Sequence, residues 1–180
     1  LMGALLDSLA AGFGGDPGRR AALDAALATG LPGPRSESWK YTSLRALERR
    51  SFGTATGGFT VDAGLLADIP APRIVFVNGG YSDALSDTAP TPGLTIGRTG
   101  AGACLPSIED RGDAVFARLN AALADDGISV TVADGAQVER PVHLVFVGAP
   151  AEGDLAWHLR HHIALGADAS LTLVEHHIDA

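Results

Sequence analysis

The spacing of apolar residues changes at about Pro72, and this change constrains the fold more than any other feature of the sequence. In residues 5–27 apolar side chains recur at helical spacing. Beyond Pro72 the apolar runs are short and β-branched, beginning with residues 73–77 (RIVFV). The chain is therefore predicted to be α+β, with an N-terminal helical domain over residues 1–70 and a β-rich domain over residues 71–180.

Local signals define the predicted helices. Asp16 followed by Pro17 is an N-cap with proline at the first helical position, and Gly30 supplies the matching stop. A further helix is predicted over residues 113–124, where apolar residues share one face and Asp-Asp-Gly follows.

Short strands joined by turns rich in Gly, Asp and Pro dominate the chain after Gly127. The predicted strands are Ile128–Val132, Val142–Val147, Leu155–Leu165 and Ser170–Ile178. A weak internal repeat is also present, since residues 134–138 resemble residues 167–171 at an offset of about 33. From the pattern alone, stacked solenoid coils and a β-sandwich are equally compatible with these strands.

The composition excludes several classes of protein. The 180 residues carry a formal net charge of −8, whereas binding to nucleic acid needs clustered cations. The charge is uneven, since residues 1–60 carry +2 and residues 61–180 carry −10. A single cysteine, Cys104, fits a reducing compartment, and no apolar run reaches the roughly 18 residues of a membrane helix. We expect a cytoplasmic protein that binds neither nucleic acid nor a membrane.

The histidines are the residues best suited to hold a metal. Five of the six fall within residues 158–177, and on one continuous strand His158 and His162 share a face while His161 points the other way. His176 and His177, with Glu175, lie on the next strand. The default interpretation is that these histidines lie on the surface or between stacked strands, and the alternative is a metal site.

Two further groups of residues were considered as sites. Cys104 lies near acidic residues, which raise the pKa of a thiol, so an idle thiol is favoured over a nucleophile. The cluster Glu37, Trp39, Lys40 and Tyr41 either forms a binding surface or uses its two aromatic rings to fix the helical segment to the rest of the chain. The favoured interpretation is the second, because aromatic residues are only 6% of the sequence.

Several blocks of the sequence resemble the SufB/SufD family of iron–sulfur cluster assembly proteins, and the first block resembles the SufD branch. That block is Leu31-Pro32-x-x-Arg35-x-Glu37-x-Trp39-Lys40-Tyr41-Thr42-x-Leu44. The later blocks lie, in order, within residues 75–86, 119–127, 138–142 and 160–176.

The resemblance implies a fold and a role. It implies an N-terminal helical domain followed by the start of a right-handed parallel β-helix. It also implies a scaffold subunit, not an enzyme, that works with SufB and SufC homologues in the cytoplasm, where the complex handles an iron–sulfur cluster. No catalytic, cofactor-binding or metal-binding residue is carried over to this chain. The competing hypothesis is a β-helical or cupin-like metal enzyme that uses His158, His161 and His162.

The two ends of the sequence also carry an expectation. The chain begins at Leu1, before its only methionine, and it stops at Ala180 directly after a strand-like run. We expect it to be a piece of a longer protein. We also expect the 180-residue chain to self-associate through the open end of its β region.

Overall fold

The computed structural model describes residues 3–55, 59–100 and 114–180. These residues form four α-helices: α1 (Ala4–Ala11), α2 (Pro17–Thr29), α3 (Arg45–Glu48) and α4 (Val115–Leu123). They also form nine strands: β1 (Gly53–Thr54), β2 (Arg73–Val77), β3 (Gly80–Tyr81), β4 (Leu94–Arg98), β5 (Ile128–Val132), β6 (Val142–Gly148), β7 (Leu155–Ala156), β8 (His162–Leu165) and β9 (Leu173–Asp179). Short 3₁₀ turns lie at Glu37–Trp39 and Ala63–Leu66.

The described residues divide into two compact units, each built from separate stretches of the chain. The first contains residues up to 54, residues 114–125 and residues 152–158. The second contains the described residues of 55–100 together with residues 126–151 and 159–180. The predicted domains, 1–70 and 71–180, stay a prediction, because a compact unit is not by itself an independently folding domain.

The first unit is a small helical assembly around one apolar core. Its buried side chains come from α1, α2 and α4: Leu5, Leu6, Leu9, Leu23, Ala26, Val115, Leu119 and Ala122. The Asp16 side chain caps α2 as predicted, accepting from the backbone N–H groups of Gly18 and Arg19 at 2.9 and 3.0 Å. The Arg19 guanidinium reaches the other end of the helix pair, donating to the carbonyl oxygens of Ala122 and Ala124. A cation at the C-terminus of α4 also complements the helix dipole.

The second unit contains two sheets. One has the strand order β3-β2-β6-β9 and the other has the order β4-β5-β8. The pairs β2–β6, β6–β9 and β5–β8 are parallel, whereas β2–β3 and β4–β5 are antiparallel. The core is aliphatic with a few aromatic rings, and Ile74, Phe76, Val130, Val142 and Leu144 are among its most buried residues.

The internal repeat noticed in the sequence corresponds to parallel pairing in the structure. Val130 pairs with Ile163, and Gln137 forms a bridge with Ser170, both at an offset of 33 residues. The two similar segments, 134–138 and 167–171, therefore lie next to each other. Small residues recur at the same points because both segments turn there, as the positive φ of Gly135 (69°) and Asp168 (55°) shows.

The predicted fold class is wrong in its second half. The structure is α+β, but its strands form a two-stranded, a four-stranded and a three-stranded sheet, and no right-handed parallel β-helix. Both larger sheets are mixed. The Asn78-Gly79 turn, with φ of 45° and 83°, returns the chain antiparallel to β2, and β4 joins β5 antiparallel. Short apolar strands separated by turns do not distinguish parallel from antiparallel pairing, so the sequence pattern carried no warning.

Candidate functional site

The predicted strand that was to carry three histidines is interrupted. Residues 155–165 form two short strands, β7 and β8, with irregular chain between them. The shared face predicted for His158 and His162 is therefore wrong, because it required one continuous strand. His158 belongs to the first unit, whereas His161 and His162 belong to the second.

The closest approach between histidines involves one that sequence reasoning did not single out. His143 on β6 and His176 on β9 lie on the same face of the sheet, two positions apart in register. The Nδ1 atom of His143 and the Nε2 atom of His176 are 2.9 Å apart, which is a hydrogen bond. Since an uncharged imidazole has one N–H and one bare nitrogen, the pair is satisfied when one ring donates and the other accepts.

The surroundings of this histidine pair favour the uncharged form. His143 is only 9% exposed. Burial, the neighbouring His176 and the Arg73 guanidinium each lower the pKa of His143 below its usual value. Arg73 is held in place by carbonyl groups, donating to those of Leu66 and Leu85 at 3.1 Å. A fixed cation beside the pair opposes a second positive charge there.

The sequence did contain a signal for this pair. His143 lies inside the apolar run of β6, which is typical of a buried strand and gives no reason to single out one polar residue. Its distance from His176 is 33 residues, the same offset as the internal repeat. Applying that offset to every polar residue of β6 would have brought the two histidines together.

His161 is packed among aromatic rings. Its ring lies 5.3 Å from that of Phe76 and 5.8 Å from that of Phe146, and its Nδ1 atom accepts from the Ile128 N–H at 3.2 Å. Burial lowers the pKa of His161, although the carboxylates of Glu175 and Asp126 act in the opposite direction. Its Nε2 atom is buried and has no hydrogen-bond partner among the described residues. The contacts of this ring are those of a core residue.

One ring from each strand of the four-stranded sheet stands at the same register. Tyr81 pairs with Phe76, Phe76 with Phe146, and Phe146 with His177. The centroid distances along this aromatic row are 6.0, 5.9 and 4.9 Å. His177 ends the row on β9 with 72% of its side chain exposed, 3.6 Å from the Glu175 carboxylate. Cross-strand ring contacts of this kind stabilise a sheet.

The tryptophan block divides its two aromatic residues between different tasks. The Trp39 ring packs on Phe116 with centroids 5.4 Å apart, as the interpretation of a fixed helical segment predicted. Tyr41 does not follow that prediction, since it is 92% exposed and meets only the Lys40 ammonium, 5.5 Å from its ring centroid. Two residues apart on a 3₁₀ turn, the two side chains point to different sides of the chain.

Neither a metal-binding cluster nor a membrane helix is found in the part of the chain that the structure describes. No three His, Cys, Asp or Glu side chains of residues 3–55, 59–100 and 114–180 converge in a way that could hold a metal ion. No helix in these ranges is long and apolar enough to cross a bilayer. Cys104 lies outside the described residues, so its predicted idle role stays a prediction.

Comparison with known proteins identifies the family. No family model matches the chain. The sequence is 31% identical over 160 residues to the iron–sulfur cluster assembly protein SufD of Escherichia coli, a match that covers 87% of this chain. It is 27% identical over 143 residues, 72% of the chain, to an iron–sulfur cluster assembly SufBD family protein of Synechocystis.

The chain belongs to the SufB/SufD family.

The extent of the match limits what membership in the SufB/SufD family says about this chain. The aligned region spans 37% of the E. coli protein and 31% of the Synechocystis protein. The family resemblance drawn from the sequence blocks is confirmed, and nothing in the comparisons favours the cupin-like metal enzyme.

Proposed function

We propose that the protein containing this sequence is a scaffold subunit of an iron–sulfur cluster assembly complex, without enzymatic activity of its own. The observation that carries the proposal is the match to SufD over 87% of the chain. The partners would be SufB and SufC homologues in the cytoplasm, and the iron–sulfur cluster would be the cargo of the complex. This chain would need no resident cofactor for such a role.

The contacts of the histidines support a scaffold role. His143 and His176 hydrogen-bond to each other across β6 and β9. His161 accepts from a backbone N–H and packs between phenylalanine rings. Each of these side chains is engaged with neighbouring strands, as expected of residues that hold a sheet together.

Purification of the complex from its own cells tests this proposal. The full-length protein that contains this sequence is tagged and isolated under anaerobic conditions, and an unrelated tagged protein serves as the control. We expect SufB and SufC homologues to co-purify, and deletion of the gene to lower the activity of iron–sulfur enzymes under iron limitation. Absence of both partners, or normal enzyme activity in the deletion strain, would contradict the proposal.

We also infer that the isolated 180-residue chain self-associates through β9, which is an edge strand of its sheet. The Ala180 N–H donates to Gly148 on β6, so alternation along β9 directs the N–H groups of Glu175 and His177 away from β6. An antiparallel pair of two β9 strands centred on His176 would place Glu175 opposite His177 of the second copy. Opposite charges in facing positions favour such a pairing.

A further inference from the structure

Tyr41 is the most exposed large apolar side chain in the part of the chain that the structure describes. Its side chain is 92% exposed, whereas the next is Leu165 at 55%. The sequence has only two tyrosines and two tryptophans, so a fully exposed ring is a substantial fraction of its aromatic surface. Tyrosine presents a large contact area with few rotatable bonds, and it is enriched where proteins meet other proteins.

The turn that carries Tyr41 is well fixed. The Trp39 N–H donates to Ser36 at 3.0 Å, and the Thr42 N–H donates to Trp39 at 2.9 Å. The Trp39 ring packs on Phe116 of α4. Because the turn is anchored on its inner side, Tyr41 is held in an outward position before any partner binds, which lowers the entropy cost of binding.

The residues around Tyr41 carry an excess of positive charge. Residues 33–50 contain five cations and two carboxylates, in a chain whose net charge is −8. Arg50 is engaged with Asp154. The other four cations are exposed and form no ion pair with any described residue: Arg35, Lys40, Arg45 and Arg49. Cations without an internal partner are available to an external one.

A small concavity lies just before this turn in the sequence. It has a volume of about 130 Å³ and is lined by the segment between α2 and the turn, including Leu31, Pro32, Gly33 and Ser36, together with Val115. A volume of this size accommodates one short side chain. Ser36, at its rim, is the residue whose carbonyl begins the 3₁₀ turn.

We propose that this surface, formed by residues 31–49, is a docking site for an acidic peptide segment of a partner protein. The segment would place carboxylates against Arg35, Lys40 and the arginines of α3, lay its backbone or an apolar side chain on the Tyr41 ring, and fill the concavity with a short side chain. Charge complementarity selects this occupant. Nucleic acid is disfavoured because the whole chain carries −8, which repels a polyanion at longer range. The inference does not depend on the proposed function.

Binding of a defined acidic peptide tests the proposal. The probe is a fluorescein-labelled octapeptide of Asp and Glu with one central Leu, and fluorescence anisotropy of the 180-residue chain reports binding. We expect saturable binding at micromolar to submillimolar concentration that weakens as salt is raised, because the contacts are exposed charges. The Tyr41→Ala variant should bind about tenfold more weakly, as expected for a central aromatic contact. The double variant Arg35→Ala, Lys40→Ala should bind at least as poorly.

Matched controls separate this surface from general charge effects. Arg20 is an exposed arginine of the same unit that already pairs with Asp24, so Arg20→Ala should bind the peptide as the unmodified chain does. A peptide with Lys in place of each acid should not bind. Circular dichroism of each variant checks that the fold is retained, which the 92% exposure of Tyr41 favours. No binding up to about 1 mM, or unchanged binding by Tyr41→Ala, overturns the proposal. So does tighter binding of a DNA oligonucleotide or of phosphatidylserine vesicles.

Discussion

The Nδ1 atom of His143 and the Nε2 atom of His176 share a hydrogen bond of 2.9 Å between two parallel strands of one sheet. A pair of this kind accommodates no proton or one proton between its two facing nitrogens, but not two, since two N–H groups would then point at each other. The Arg73 guanidinium adds a further positive charge on the β2 side. The join between β6 and β9 is therefore sensitive to protonation.

Stability should fall as the solution becomes acidic. The folded-state pKa of His143 lies below its ordinary value of 6.5, so the unfolded chain takes up the proton first. A lowered histidine pKa contributes stability above the unfolded pKa, and this contribution is lost as pH falls through the folded pKa. We expect the urea midpoint to decrease between about pH 7 and about pH 5.

Burial lowers the pKa of His158 and His161 as well, so both histidines contribute to this decrease with the same sign. Replacement of one partner isolates the share of the pair. His143→Gln removes a titrating group from β6 and should flatten the pH dependence, whereas Glu139→Ala, at an exposed position, should leave it unchanged. A midpoint that is constant over this range would contradict the prediction.

Arg19 should stabilise the first unit far more than Arg20 does. The Arg19 side chain is 14% exposed and reaches two carbonyl groups at the end of α4 as well as Asp125. Arg20 is 56% exposed and pairs only with Asp24 on its own helix. Arg19→Ala should lower the free energy of unfolding by about 2–3 kcal/mol, because buried carbonyl groups lose charged donors. Arg20→Ala should change it by less than about 0.5 kcal/mol. Equal effects in urea unfolding would refute the role given to Arg19.

The ring of His161 should be needed for packing, not for chemistry. His161→Ala removes a ring between Phe76 and Phe146 and is expected to cost about 2–4 kcal/mol of unfolding free energy. His161→Phe keeps the volume and loses only the acceptor for the Ile128 N–H, so it should cost less. Thermal denaturation followed by circular dichroism compares the two. A phenylalanine variant as unstable as the alanine variant would indicate that the hydrogen bond dominates.

The isolated 180-residue chain should dimerise through β9, and one backbone group should decide it. His177→Pro removes an N–H that points away from β6, so it should abolish pairing with a second copy while leaving the bonds to β6 in place. His177→Ala keeps that N–H and serves as the matched control. Sedimentation is expected to show a dimer for the unmodified chain and for His177→Ala, and a monomer for His177→Pro. A monomeric unmodified chain at high concentration would argue against the edge pairing.

Some features of this fold follow from local chemistry and were predictable. The cap at Asp16 depends on two neighbouring backbone N–H groups, so the residues Asp-Pro were sufficient to locate the start of α2. The helix near residues 115–123 and the strands after Gly127 follow from periodicity in the same way. Family membership was predictable because several blocks of residues agree in order.

Other features depend on which strands become neighbours, and a single sequence does not specify this. Whether β4 pairs parallel or antiparallel with β5 is decided by the path of the connecting chain, so the predicted β-helix was wrong. The His143–His176 pair requires knowledge of the register of β6 and β9. Trp39 and Tyr41 have similar character in the sequence, and only the position of α4, which brings Phe116 to Trp39, separates the buried ring from the exposed one.

The constant offset between paired strands has a consequence for how this part of the chain tolerates changes in length. Val130 faces Ile163 and Gln137 faces Ser170 at the same separation of 33 residues, and side chains alternate between faces along each strand. Loss of one residue within either segment would turn every later side chain of that strand to the wrong face. The exposed stretch of residues 150–154 lies between the paired segments, and it is where gains and losses of sequence would be absorbed.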